Sequence, residues 1–317
     1  MQDSTNTACA LLEVTGAQRV KPAIPAGARS RSPGGEHPRG AGDSLAPLGL
    51  LIEDFDSEYL RELERGMDET ARSLNRRLHS VRGIWCARQE AEEIRALAAA
   101  GAGAVILTSG MLDDAMLERL SREIPVVLVA RRLVSRRLHS LCVDNRAGAC
   151  LAVKHLISLG HHRIAHIAGP SDQADARERL QGYRDAIEDA GLRFDPDLVV
   201  QGGFLEGGGL AAVLTLLKNA TPFTAVFAGN DQSALGARVA LLRYGIRVPD
   251  DISLVGFDDI DSAQRVEPAL TTVRQPVHEL GCSAARAAIA LAAGEELPVS
   301  AALPVELIVR GSTRRLR

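Results

Sequence analysis

Aromatic side chains are scarce in this chain. Phe, Tyr and Trp make up 3% of its 317 residues, although 46% of them are hydrophobic. The core must therefore be filled by Ala, Leu, Val and Ile, which suits a parallel α/β fold better than an aromatic-rich β-sandwich. Long apolar runs are missing too: none approaches the roughly 18 residues of a spanning helix, so no membrane segment is expected. The N-terminus shows no basic stretch followed by an apolar core, so no signal peptide is expected either. The five cysteines (Cys9, Cys86, Cys142, Cys150 and Cys282) are scattered, odd in number and form no Cys-x-x-Cys. That pattern points to reduced thiols in a cytoplasmic protein. The formal net charge of −3 argues against a surface that is basic all over, while one local basic patch stays compatible with it.

Catalytic signatures are absent as well. There is no Gly-x-Ser-x-Gly elbow and no nucleophile with a convincing base. His155, His161 and His162 have no carboxylates or cysteines recurring at ligand spacing, so no metal is expected. The run Gly207-Gly208-Gly209 lacks the Lys-Ser/Thr of a phosphate loop and reads as a flexible helix entry. Asp258 and Asp259 are adjacent on a strand and should point to opposite faces, so they are not expected to share a substrate. The sequence predicts no enzyme, no catalytic residue and no cofactor.

Two regimes divide what is present. Over residues 1–46, Pro22, Pro25, Pro33 and Pro38 are interspersed with Gly27, Gly34, Gly35, Gly40 and Gly42. This density of helix breakers predicts a disordered, linker-like tail with at most one short helix over 9–14. From Leu48 onward, short apolar runs alternate with helical periodicities. Strands are predicted at 48–52, 78–86, 104–108, 125–130, 164–169, 199–200, 225–228, 252–257 and 304–309. Helices are predicted at 59–74, 89–100, 114–122, 145–159, 174–190, 232–244 and 277–293. Steady alternation of this kind is the mark of a doubly wound parallel sheet, and the length calls for two lobes. Residues 140–144 are expected to cross between them. Gly160 and Gly191 supply helix stops, and His161, His162 and Arg163 suit the negative end of a helix dipole. The run 252–257 ends in Asp258, where strand ends in open parallel sheets face the ligand crevice.

The stretch Val248–Pro276, VPDDISLVGFDDIDSAQRVEPALTTVRQP, resembles the effector-sensing half of the lactose-repressor/galactose-repressor (LacI/GalR) family of transcriptional regulators. Gly160-His161-His162-Arg163-Ile164, Arg179-Leu180-Gln181-Gly182-Tyr183, Asp144-Asn145 and Asn230-Asp231 extend the likeness, which runs from about Leu48 to Arg310. The resemblance implies an α/β, two-lobed, periplasmic-binding-protein-like (type I) fold. Its lobes would be 47–144 plus about 277–296, and 145–276 plus about 297–317. It also implies a sugar-like effector in the cleft, a homodimer, a DNA operator as partner, and control of DNA binding by hinge closure.

By the same resemblance the ligand-binding set is Tyr59, Asp144, Arg179, Phe204, Asn230 and Asp258. The Arg179 guanidinium would clamp ligand oxygens and the Phe204 ring would stack on the ligand's flat face. Tyr59 is open to two readings, a ligand contact or an aromatic packed at a helix start. Two departures matter. No helix-turn-helix head is recognisable in 1–46, where Arg29-Ser30-Arg31-Ser32 reads as a basic linker. Ala130-Arg131 stands where the family has Asp-Arg, and with Arg132, Arg136 and Arg137 nearby Arg131 reads as part of a solvated loop. The alternative to a regulator is a stand-alone cytoplasmic ligand-binding module without direct DNA binding. A secreted solute receptor is disfavoured by the missing signal peptide.

Overall fold

A computed structural model describes residues 45–54, 56–83, 86–108, 110–133, 138–299 and 301–316. The readings for the 1–44 stretch, and those touching Trp85, Arg136 and Arg137, lie outside the described residues. The first sheet is built from β1 (Leu48–Glu53), β2 (Leu78–Gly83), β3 (Ala104–Leu107), β4 (Val126–Val129) and β5 (Leu138–Leu141). It is connected by α1 (Glu58–Ser73), α2 (Ala87–Ala99) and α3 (Asp114–Glu123). Its order is β2-β1-β3-β4-β5, all parallel. Helix α4 (Asn145–Ser158) opens the second half. There β6 (Ile164–Ala168), β7 (Val199–Gln201), β8 (Ala225–Ala228), β9 (Ser253–Asp258), β10 (Thr271–Arg274) and β11 (Glu306–Ile308) line up as β11-β10-β9-β8-β6-β7. Only the β10–β11 pair is antiparallel. The helices of this half are α5 (Ala174–Asp189), α6 (Glu206–Lys218), α7 (Asp231–Arg243) and the short α8 (Asp261–Arg265).

Both sheets reverse strand order at one place, between β1 and β3 and between β6 and β8. Loops leaving neighbouring strands there run to opposite faces, which opens a crevice at the carboxyl ends. The central strands are buried on both faces, so they read as unbroken apolar runs. Helix α9 (Val277–Ala292) returns from the second half to the first. Its Leu280, Ala284, Ala288 and Leu291 join Leu60, Leu63 and Met67 of α1 over β1, β3 and β4. The helices meet almost backbone to backbone. A Cβ on Gly66 would lie 2.3 Å from the His278 carbonyl, and one on Gly281 would lie 2.2 Å from the Leu63 carbonyl.

Several expectations are corrected. Ser140 and Leu141, placed within the 140–144 crossing between lobes, instead end edge strand β5. Helix α8 was not expected at all. His161 does not stand free at the end of α4 as expected. His161 is buried, with Nδ1 2.9 Å from Thr224 Oγ1 and Nε2 3.0 Å from the Arg314 carbonyl; His155 Nε2 lies 3.0 Å from Thr313 Oγ1. Burial lowers the pKa of both, so these neutral rings staple the C-terminal segment to the second sheet.

Because the α1–α9 seam has no room for a methyl group, Gly66→Ala and Gly281→Ala should each destabilise the protein by about 1–3 kcal/mol. Urea unfolding of each variant checks this, with lower midpoints expected in both.

Candidate functional site

The second sheet delivers a buried guanidinium to the crevice. Arg179 sits in the second turn of α5, where a helix start normally keeps its side chains near solvent, yet it is only 4% exposed. Its Nε donates to Asn145 Oδ1 (2.9 Å), the first residue of α4. Its Nη1 donates to the Gly229 carbonyl (2.5 Å) and to Asp258 Oδ1 (3.5 Å). The planar group lies 3.8 Å from the centroid of Phe257 and 5.2 Å from that of Phe204. Such contacts offset the large cost of removing the charge from water.

Asp258 is the last residue of β9 and is held in place by its backbone. It has φ 120° and Asp259 has φ 61°, so two consecutive carboxylates diverge. Asp258 accepts from Gln275 Nε2 at 2.6 Å and faces Arg179; Asp259 pairs with Arg274 (2.7 Å) and Arg310 (2.6 Å). The two acids thus serve different partners. Burial raises the Asp258 pKa to about 6, against the opposing pull of Arg179 and Gln275. Asp231, fully buried behind it, is also raised, first by burial and then by the nearby Asp258 charge. Thr272 Oγ1 (2.6 Å) and the Ile260 amide (3.0 Å) donate to it, which ties β10 and the β9–α8 turn to the start of α7.

Tyr59 reaches this cluster from the first sheet. It is half-buried near the start of α1, and its phenol is raised by burial and then by the Asp258 charge. A pocket of about 10 Å³, room for hardly one water, separates Tyr59 from Asp175, Arg179 and Gln275. Cavities of about 780 Å³ and 860 Å³ open on either side of this seam. The smaller of these two is lined by Thr108, Ala130, Arg131, Asp172, Asp175 and Glu178, among others. Arg131 therefore belongs to the cleft wall, donating to the Leu112 carbonyl and pairing with Asp114.

Of the six residues expected from the resemblance, Tyr59, Arg179, Phe204 and Asp258 come together. Phe204 packs under the guanidinium rather than standing free, with a φ of 61° that turns its ring onto Gly169. Asn230 stands one step back: it caps α7 by accepting from Ser233 N (2.9 Å) and donates to the Phe204 carbonyl (3.0 Å). Asp144 does not join the cluster. It is exposed and caps α4, accepting from Ala147 N at 2.9 Å. Its neighbour Asn145 is the residue that turns inward. The Asp-Asn pair at a helix start was visible in the sequence, but not which of the two would spend its side chain on the cap.

Two polar contacts join the halves directly beside the seam. Glu58, at the first turn of α1, accepts from the amide (3.0 Å) and hydroxyl of Ser262 on α8. Gln232 Nε2 on α7 donates to the Asp56 carbonyl at 2.8 Å.

A cleft between two doubly wound sheets, crossed by three strands of chain and lined by an arginine, acids and rings, defines a periplasmic-binding-protein-like sensor. Comparison with known proteins agrees. The family model described as a periplasmic binding protein-like domain matches residues 153–313. The HTH-type transcriptional regulator GalR of Escherichia coli K12 is 35% identical over 268 residues, covering 83% of this chain and 78% of that protein. Among solved structures, a LacI-family transcriptional regulator from Burkhoderia phymatum has 32% identity and a TM-score of 0.79, covering 86% of this chain and all of that one. A complex of the regulator CelR with cellobiose has 32% identity and a TM-score of 0.76, covering 84% of each chain. The chain belongs to the LacI/GalR family of transcriptional regulators. All three relatives are transcriptional regulators by name.

The raised carboxyl gives a pH signature. The fold holds the Asp258 proton more tightly than the unfolded chain, whose value is near 3.8. Its stabilising contribution is thus complete below about pH 4 and is lost as the pH rises through about 6. The stability difference between the wild type and Asp258→Asn should shift against the wild type by on the order of 1–3 kcal/mol from pH 4 to pH 7. Urea titrations of both proteins across that range check the sign.

Proposed function

We propose that this regulator responds to a small polyhydroxylated effector of the sugar class, held in the cleft between the two sheets. The observation that carries the reading is the buried Arg179, fixed by Asp258 and Asn145 and met by Tyr59 from the other half. A guanidinium fork and a carboxylate take paired hydroxyls in opposite senses, while Phe204 and Tyr59 supply apolar faces. The cellobiose bound by the similar regulator CelR supports the same ligand class.

In this reading the lobes are residues 47–144 with about 277–296, and 145–276 with about 297–317. They rotate about the chain segments at 142–144, 275–276 and about 296–297. With only about 10 Å³ at the seam, an effector must part Tyr59 from Arg179 to enter. Closure around it is favoured only by the difference in its affinity for the closed and open forms. The Glu58–Ser262 and Gln232–Asp56 contacts hold the halves together on the flank and set how readily they part. Lobe rotation would then be passed to a homodimer partner and to an operator DNA in the cytoplasm.

Thermal shifts with a panel of mono- and disaccharides test the ligand class. Arg179→Met and Asp258→Asn should abolish the shift produced by the active sugar, and Asn145→Ala should reduce it. An unchanged shift in all three would remove the cleft as the binding site. Glu58→Gln with Ser262→Ala should loosen the seam and raise the effector on-rate several-fold without changing the residues that hold the ligand. Retention of fragments of the source genome across a salt series tests the DNA arm. Specific retention with a steep salt slope marks an operator-binding protein; only weak, sequence-blind retention marks a ligand-binding module that acts through another protein.

A further inference from the structure

A second cluster lies on the α1–α9 seam, where His278 also lines the larger of the two cavities beside the cleft. His278 and Cys282 stand one turn apart on α9 and so share a face, and Glu69 comes to the same place from α1. The close approach permitted by Gly66 and Gly281 is what brings the three together. Cys282 Sγ lies 3.6 Å from His278 Nδ1, and His278 Nε2 lies 3.0 Å from Glu69 Oε2. One tautomer satisfies both contacts. Nε2–H donates to the carboxylate, which leaves the Nδ1 lone pair to accept the thiol proton. Arg65 approaches the other Glu69 oxygen, Oε1, at 3.7 Å and leaves Oε2 to the imidazole.

We propose that Cys282 is a modification site, a thiol activated by His278 and oriented through Glu69 for exchange with low-molecular-weight disulfides. A nucleophile beside a base that a third group holds in place is the arrangement such chemistry needs. The site is reachable: the His278 side chain is 39% exposed, that of Glu69 is 54% exposed, and Cys282 is half-exposed. Two of the other thiols are set differently. Cys142 is buried, Cys150 donates to the Gly182 carbonyl, and burial raises both, which keeps them protonated and inert.

In the step itself, Cys282 gives its proton to His278 Nδ1 and its sulfur attacks one sulfur of the incoming disulfide. That S–S bond breaks as the new one forms. The departing sulfur leaves as a thiolate and collects the proton from His278. Cys282 is oxidised to the mixed disulfide and the displaced half of the reagent is reduced to a thiol.

The full chain treated with an aromatic disulfide, with adducts located by peptide mass mapping, tests this. Cys282 is expected to react about tenfold faster than Cys86, Cys142 and Cys150. His278→Gln should slow it by about the same factor, and added imidazole should restore part of the rate. Glu69→Gln, which keeps an oxygen acceptor, should slow it less than Glu69→Ala. A substitution that merely loosened the seam would expose the thiol and speed the reaction, so the sign separates the two causes. Reaction of Cys282 no faster than Cys86, or a His278→Gln rate equal to or above that of the wild type, overturns the proposal.

Discussion

A buried guanidinium is the constraint that the second sheet is arranged to meet. Arg179 carries a full charge at 4% exposure, and an uncompensated charge there would cost several kcal/mol. Its partners come from three places: the first residue of α4, the turn after β8, and the end of β9, which offers both Asp258 and the ring of Phe257. Moving any of those elements by an ångström leaves a charge or a carbonyl unpaired. The strained backbone at Asp258 and Asp259 is part of the same arrangement, because it aims one carboxylate inward and releases the next to Arg274 and Arg310.

The carboxylates behind the arginine add a second condition. Both Asp231 and Asp258 are buried, and after burial itself the Asp258 charge is what raises Asp231. Gly256, in β9 itself, makes room for Asp231. A Cβ there would stand 2.0 Å from Asp231 Oδ1. The short, apolar Leu254-Val255-Gly256-Phe257 run thus does two jobs: it packs both faces of the sheet and leaves one side open for an acid to fill.

How much of this was legible follows from burial. Strands such as Leu48–Ile52 and Ala104–Leu107 are enclosed on both faces and write themselves as unbroken apolar runs. Strand β5, Leu138-His139-Ser140-Leu141, lies at a sheet edge, with two half-buried polar residues in its middle, and so it carries no such run. Helix α8 is a single turn and a half, too short to show a period. In the site, Arg179 and Asp258 could be placed from their motifs and from the rule that strand ends face the crevice. Asn145 and Arg131 could not. Whether a polar residue at a helix start caps or turns inward depends on one φ/ψ pair, and whether an arginine-rich loop is solvated depends on what lies across from it. Neither is a property of the local sequence.

The return of α9 to the first sheet has a consequence for how the protein is made. Leu60, Leu63 and Met67 of α1 and the faces of β1, β3 and β4 are covered by residues that follow some two hundred positions later. While the chain emerges from the ribosome, that apolar surface waits, uncovered, until nearly the whole second half has been synthesised. The first half to be translated is therefore the last to be completed. During that interval its exposed face is a hazard for aggregation and a natural hold for chaperones.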